Sequence, residues 1–323
     1  MIKRNATMVA QFWACGLCLV SLSGCYNLSN EWMSGTQLAD RERQIGQDLA
    51  RIRDLEPQPS LNTEAATELQ LRSRYNQEIE DYWNAGGDKL ERSYKMFGLL
   101  PQDMNTKEWL RKRLSNELAT TYDAKTKKIL TYKHKVKKRV KGKNEEDIRS
   151  EMTTFAMEVG VPSNVWSDLI DDFAFTHEAT HALEDAVLPA AKAANKNNQD
   201  ETLAVESVIA GSAMDTSADY FLDQIGFPVS TVSPLGRTAV SIIGEVSVDP
   251  DLYHKSRSID RARSRRRAPK TPPIINSDLS FAHTSGWAFV NQVRAQYGWQ
   301  AVNKLRQNPP VSSEQIVHPE RFL

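Results

Sequence analysis

The stretch His177-Glu178-Ala179-Thr180-His181 decides how the rest of the sequence is interpreted. Two histidines four residues apart lie on one face of an α-helix, so both imidazoles can bind the same metal ion. The glutamate between them is then placed to act as a general base on water. The spacing therefore predicts a Zn²⁺ site in which His177 and His181 are ligands and Glu178 is the catalytic base.

The residues around this motif have the pattern of an amphipathic helix. Apolar positions before the motif recur every three or four residues, at Trp166, Ile170 and Phe173. Both histidines continue this apolar stripe and should face the protein interior. Ser163 suits the start of the helix and Pro189 its end. The alternative is a hydrogen-bonded pair of core histidines, which would leave several buried polar atoms in need of partners.

The first 24 residues predict an export signal. A basic start precedes an apolar run at residues 8–20, which is too short to span a bilayer. Leu22-Ser23-Gly24-Cys25 follows and resembles the bacterial lipobox, in which the cysteine becomes the lipidated first residue. We therefore expect residues 1–24 to be a lipoprotein signal peptide and Cys25 to carry a lipid. The alternative is an ordinary secretory signal with an incidental cysteine.

The residues near the cleavage point indicate the location and the redox class. Tyr26 is not the aspartate that in such lipoproteins is associated with the inner membrane, so we expect an outer-membrane protein facing the periplasm. The three cysteines, Cys15, Cys18 and Cys25, all lie at or before the cleavage point. The mature chain therefore has neither a disulfide nor a catalytic thiol, which excludes a thiol peptidase.

The charge balance limits the expected partners. The 41 basic residues fall to 39 when Lys3 and Arg4 are removed, against 41 acidic residues, a net charge of about −2. This balance predicts no general attraction to nucleic acid or anionic lipid. No second apolar run approaches membrane-spanning length, so attachment would depend on the N-terminal lipid. The expected partners are a peptide or protein substrate and the membrane.

The rest of the chain predicts a mainly helical protein with a small sheet. Residues 25–60 predict a tether and an amphipathic helix with apolar positions at Leu38, Ile45, Leu49 and Ile52. We expect this helix to pack on the body; the alternative is packing on a partner. Residues 61–323 predict the main domain. A helix is expected over residues 62–83, with an apolar side at Ala65, Leu69, Ile79 and Tyr82. Small residues in a helix over residues 200–225 should allow another backbone to approach closely.

Residues 130–140 alternate between apolar and basic positions, which is the period of a half-buried strand. Its lysines either discourage pairing at a sheet edge or line an edge along which a peptide substrate adds itself as a strand. His134 lies on the inward face and is predicted to belong to the core. The basic residues at 257–273 are interpreted as a solvated loop, and the alternative is binding to phosphate-bearing surface polymers.

Four segments in the second half of the chain resemble a family of bacterial zincin-type proteins, often lipoproteins, that are similar to gluzincin peptidases. The segments are Tyr122-Asp123 with Thr126 and Ile129, residues 176–185, residues 203–213, and residues 286–320 with Ser312-Ser313-Glu314-Gln315 and His318-Pro319-Glu320. The resemblance implies an α+β zincin-like fold, mainly helical, with a small sheet beside the HExxH helix. It also implies one zinc ion and hydrolysis of peptide bonds.

The sequence departs from this family at the third metal ligand. The relatives commonly have a glutamate in a Glu-Gly-x-Ala motif, whereas this chain has Ala210 at that position. On an ideal helix Glu206 points within about 40° of the Ala210 direction but lies about 6 Å away along the axis. Glu201 points about 180° away. We therefore predict Glu206 as the third ligand.

The resemblance assigns roles to two further residues. Asp185 is expected to accept the second N–H of a metal-bound imidazole; because it shares the helix of His181, the alternative is that it fixes a neighbouring loop. His283 replaces a residue that is often aromatic in the relatives and is predicted to donate a hydrogen bond to the oxyanion.

The sequence therefore predicts a membrane-anchored zinc metallopeptidase. An amidase that acts on cell-wall peptides is a subclass that the sequence does not distinguish. The alternative, favoured by Ala210, is a catalytically degenerate envelope lipoprotein that serves as a scaffold or binding protein, since two histidines alone make a poor zinc site.

Overall fold

The structure is a computed structural model that describes residues 35–57, 61–114, 120–132, 163–194, 198–224 and 272–323. The predicted signal peptide, Cys25, His134 and most of the basic loop at 257–273 lie outside these residues. No helix in the described part is both long and apolar enough to cross a membrane.

Helices dominate the described residues. They are α1 (Gly35–Arg53), α2 (Glu68–Tyr82), α3 (Asp88–Met96), α4 (Thr106–Leu114), α5 (Ser163–Val187), α6 (Gln199–Gln224), α7 (Pro273–Leu305) and α8 (Ser313–Val317). A π-helical segment (Trp83–Gly87) joins α2 to α3, and a 3₁₀ turn (Pro319–Arg321) follows α8. The strands are β1 (Thr63–Ala66), β2 (Thr121–Asp123) and β3 (Lys128–Tyr132). The fold is therefore α+β and mainly helical, as the sequence predicts at this coarse level.

The three strands form one small sheet beside α5. Its order is β1-β3-β2, with β1 parallel and β2 antiparallel to β3. The Asp123 carboxylate fixes the turn between β2 and β3, because it accepts hydrogen bonds from the Lys125 N–H at 3.1 Å and the Thr126 hydroxyl at 2.7 Å. Ile129 of β3 is fully buried against Ala179 and Leu183 of α5. The sheet thus packs directly on the helix that carries the histidine motif.

The prediction of a helix over residues 62–83 is wrong at its start. Residues 63–66 form β1, and the helix begins only after Thr67, whose hydroxyl accepts the Gln70 N–H in a capping box. Ala65 is exposed and Leu69 is 77% exposed, so neither lies on a buried face, whereas Ile79 is buried. Pairing with β3 is a non-local interaction, and it overrides the helical composition of this segment.

The predicted strand at residues 130–140 begins earlier and has different neighbours. β3 spans Lys128–Tyr132, and residues 133–140 lie outside the described part. In its described part β3 is the central strand, paired on both sides. Lys128–Tyr132 is therefore not an edge strand. Both interpretations of the basic strand, edge protection and substrate binding at an edge, are wrong for these residues.

Helix α1 packs on the body of the protein, as its apolar stripe predicts. Ile45 and Leu49 are buried in one cluster with Ala179, Leu183 and Tyr220, which belong to α5 and α6. The stripe continues one turn further to Arg53, whose side chain is also fully buried.

The helices α6 and α7 meet backbone to backbone. A Cβ atom on Gly286 would lie 2.8 Å from the Ser207 Cα, and one on Gly211 would lie 2.8 Å from the Trp287 nitrogen. Real Cβ atoms do not approach backbone this closely, so both positions require glycine. This contact confirms that the small residues of α6 admit a neighbouring backbone.

Candidate metal centre

The two histidines of the motif converge on one point. His177 and His181 lie one turn apart on α5, and their Nε2 atoms are 3.2 Å apart, with ring centroids at 4.7 Å. Two nitrogen ligands of a tetrahedral zinc ion, each at about 2.1 Å from it, are about 3.4 Å apart. The two rings are within hydrogen-bond distance of each other, which is the alternative considered for this pair. The same spacing also suits two ligands of one ion.

Burial keeps both imidazoles neutral. It lowers the pKa of His177 well below its usual value, and repulsion from the protonated forms of His181 and His283 would lower it further. Burial is also the main cause that lowers the pKa of His181. Neutral imidazole is the form that binds metal, so the environment suits a ligand role. The Nδ1 atoms of these two rings have no hydrogen-bond partner among the described residues.

Glu178 lies between the histidines in the sequence, and its side chain bonds to the sheet. Its Oε2 accepts a hydrogen bond from the Tyr122 backbone N–H of β2 at 2.6 Å. Burial raises the pKa of Glu178 to about 8, although the Tyr122 N–H opposes this rise. A carboxyl group with a pKa near neutrality can both accept and return a proton, which is what general acid–base catalysis requires.

His283 is brought to the histidine pair from a helix more than a hundred residues further along the chain. Its ring centroid lies 5.5 Å from that of His177, and the two ring planes are tilted by 31°. His283 lies on α7, three residues before Gly286, so the close contact between α6 and α7 fixes the turn that carries it. The sequence placed His283 near the site by resemblance, and the structure places it beside His177.

Glu206 is the residue that the sequence predicts as the third ligand. Its side chain is at the protein surface on α6, although neighbouring atoms crowd the carboxylate enough to raise its pKa. Its charge raises the pKa of Tyr82. Among the described residues no three His, Cys, Asp or Glu side chains are arranged as a complete metal site. Glu206 as the third ligand therefore stays a prediction.

The chain matches no protein-family model, no curated protein and no solved structure.

Asp185 connects α5 to other segments. One carboxylate oxygen accepts from the Tyr122 hydroxyl at 3.2 Å and from the Lys127 ammonium at 2.8 Å, and the other accepts from the Arg306 guanidinium at 2.6 Å. Burial alone would raise the pKa of Asp185, but Lys127 and Arg306 hold it below the usual value. Through these contacts Asp185 fixes the turn between β2 and β3. This agrees with the alternative role predicted for Asp185, that it fixes a neighbouring loop.

A buried ionic network lies one turn beyond the histidines. Glu184 is fully buried and pairs with the fully buried Arg53 of α1. It also accepts from the Arg306 guanidinium at 3.0 Å and from the Ser212 hydroxyl at 2.5 Å. Arg53 donates further to Thr216 at 3.1 Å. The sequence did not reveal this network. Arg53 and Glu184 nevertheless both lie on apolar stripes, where a charged residue indicates a buried partner.

A second ionic cluster joins α6 to α7 next to the first. The buried Asp215 carboxylate accepts hydrogen bonds from three side chains of α7: Trp287 at 2.9 Å, Asn291 at 2.8 Å and Arg294 at 2.7 Å. The guanidinium groups of Arg53 and Arg294 both lie over the Trp299 ring, at 4.2 and 4.3 Å from its centroid. The two clusters therefore share one aromatic ring, and both hold α7 against α6.

Proposed function

We propose that the protein is a zinc metallopeptidase with a zincin-like fold that hydrolyses peptide bonds in a peptide or protein substrate. The observation that carries the proposal is the 3.2 Å separation between the Nε2 atoms of His177 and His181, because this spacing suits two ligands of one zinc ion. A mainly helical α+β fold with a small sheet packed on the motif helix supports it. In this proposal a lipid on Cys25 anchors the enzyme to the outer membrane, facing the periplasm.

Each residue of the candidate site has its own role in the proposed reaction. His177 and His181 hold the ion, which when bound would act as a Lewis acid on the scissile carbonyl and on water. Glu178 accepts the proton of the attacking water and returns it to the leaving amine. The Tyr122 N–H occupies one oxygen of Glu178 and thereby orients the carboxylate. Asp185 supports the same strand through the Tyr122 hydroxyl.

The variant Glu178→Gln tests this assignment. It keeps the shape of the side chain but cannot accept the proton, so we expect hydrolysis of an unstructured protein to fall about 10²- to 10⁴-fold. The zinc content should stay unchanged, because Glu178 is not a ligand in this proposal. Glu64→Gln is the matched control, since Glu64 is a partly exposed carboxylate of the same sheet that pairs with Lys128. Undiminished proteolysis by Glu178→Gln would show that the assignment is wrong.

A second candidate function is a catalytically degenerate envelope lipoprotein that acts as a scaffold or binding protein. The observation that favours it is Ala210, which is buried at the position where the related family has its ligand glutamate. Metal analysis of the purified protein separates the two candidates. About one zinc ion per chain supports the peptidase, whereas a chain that stays empty in zinc-containing buffer supports the scaffold.

A further inference from the structure

His177 of α5 lies next to two other imidazoles, His181 on the same helix and His283 of α7. The ring centroids of His177 and His181 are 4.7 Å apart, and those of His177 and His283 are 5.5 Å apart. Two imidazoles bound to one tetrahedral zinc ion, with Zn–N distances of about 2.1 Å, have centroids about 5 Å apart. The observed distances lie on either side of that value. We infer that His283 is the third protein ligand of the metal, an inference that rests on the proposed zinc site.

The backbone that carries His283 is fixed at this position. Three residues later Gly286 contacts the Ser207 backbone, and there is no space for even a methyl group between the two helices. In the next turns of α7, Trp287 and Asn291 bond to the buried Asp215 of α6. A metal ligand needs a rigid support of this kind, because small displacements of a ligand weaken the site.

The His283 ring would have to turn to bind the ion. The described residues do not form a complete three-ligand group as they stand. The His283 centroid is nevertheless already at about the distance that coordination requires. Rotation about the side-chain torsions can turn a ring nitrogen towards the ion without movement of either helix.

Glu206 is placed less well for this role than His283. It directly precedes Ser207, the residue of α6 that meets Gly286. Neighbouring side chains on a helix point about 100° apart, so Glu206 is directed away from the contact with α7. Its side chain lies at the surface, whereas His177 is 8% exposed. The resulting ligand set is three neutral imidazoles, which would leave the full positive charge of the ion uncompensated by protein ligands.

Cobalt binding by the full-length, metal-free protein tests the ligand set. Co²⁺ is the probe, because its visible absorption reports the ligands, and a competing chelator gives its affinity. We expect one Co²⁺ per wild-type chain. His283→Ala should weaken binding more than about 100-fold, since the loss of a ligand should exceed the 10- to 100-fold effect of losing an outer-shell partner. The spectrum should change in the same variant. Glu206→Gln should leave both the affinity and the spectrum unchanged.

Controls keep the outcomes distinct. His283→Gln retains much of the side-chain volume, and the unfolding midpoint of each metal-free variant shows whether its fold is intact. Wild-type affinity in both His283 variants would overturn the inference and leave the zinc proposal standing, even if peptidase activity fell as expected for an oxyanion donor. Weakened binding by Glu206→Gln alone would identify Glu206 as the ligand. A wild-type chain that binds no Co²⁺ would overturn both the inference and the proposed function.

Discussion

Glu184 is a charged group in a place where charge is costly. Moving a carboxylate out of water costs several kcal/mol even after relaxation. Burial alone would raise the pKa of Glu184, but Arg53 and Arg306 lower it below the usual value, as does the Ser212 hydroxyl. The carboxylate is therefore ionised at neutral pH and depends on its partners. Removing the charge leaves Arg53 without this counter-ion, whereas Arg306 keeps its pair with Asp185.

The variant Glu184→Gln should destabilise the fold by about 3–5 kcal/mol at pH 7, because it breaks a buried ion network from one side. The folded pKa is depressed, so the charge of Glu184 contributes stability above the usual value of 4.5, and this contribution is lost as the pH falls through the folded pKa. The difference in unfolding free energy between wild type and Glu184→Gln should therefore shrink as the pH falls below 4.5. Urea unfolding at a series of pH values measures it.

The matched control for Glu184 is an ion pair at the surface. Glu314 pairs with Arg321, and both side chains are more than half exposed. Glu314→Gln should change the free energy of unfolding by less than about 1 kcal/mol. A loss in Glu184→Gln that is no larger than this, or that does not change with pH, would mean that the buried network contributes no net stability.

At the residue scale, the sequence predicts the part of the site that depends on local spacing. It does not predict the part that depends on pairing between distant residues. The spacing of His177, Glu178 and His181 is a property of one helix, so the sequence reveals it directly. The partners Arg53, Glu184 and Arg306 come from three segments far apart in the chain. No local period can reveal such a pairing. Only the charge on an apolar stripe hints at it.

The crossing of α6 and α7 decides where His283 lies. Gly211 and Gly286 let the two backbones touch, and Asp215 fastens the following turns of α7 to α6. Protein interiors transmit strain because they are close-packed. A change in this helix pair should therefore reach the candidate metal centre as well as the global stability.

The variant Gly211→Ala should force the two helices apart. Its methyl group would meet the Gly286 and Trp287 backbone, which cannot yield as a flexible side chain does. We expect a loss of about 1–3 kcal/mol, the usual cost of overpacking, measured by urea unfolding. Cobalt affinity should fall in the same variant, because His283 moves with α7.

Gly46→Ala is the control for the glycine contact. In helix α1 the added methyl group would lie 3.5 Å from Leu61, an ordinary contact distance. Alanine is the better helix former by about 1 kcal/mol, so this variant should be as stable as wild type or more stable. Equal effects of Gly211→Ala and Gly46→Ala would contradict the proposed role of the helix crossing.

At the element scale, long helices with strong periodicity are predicted well and short strands are not. The predicted start at Ser163 agrees with α5, and the segment predicted at residues 200–225 agrees closely with α6. β1 escapes prediction because Thr63–Ala66 has no strand pattern of its own and becomes a strand only by pairing with β3. The position of β3 at the centre of the sheet depends on the same non-local pairing.

The molecule as a whole is joined through Arg53. This side chain begins on α1, pairs with Glu184 of α5, bonds to Ser212 and Thr216 of α6, and reaches Asn303 of α7 at 2.5 Å. Its guanidinium also stacks on Trp299, the ring shared with Arg294. Residues of four helices therefore meet at one buried cation. The N-terminal helix is for this reason part of the folded body.

Two arginines of α1 that are two residues apart differ in burial. Arg53 is fully buried, whereas the Arg51 side chain is 56% exposed and pairs with Asp48 at 3.2 Å and Asp223 at 2.6 Å. Arg53→Met should cost about 3–5 kcal/mol, because it leaves the buried Glu184 with one arginine fewer. Arg51→Met should cost less than about 1 kcal/mol, because water screens its ion pairs. Methionine is unbranched like arginine, so the two variants differ chiefly in the buried charge. Urea unfolding of both proteins measures the difference, and similar losses would show that α1 is held by its apolar stripe alone.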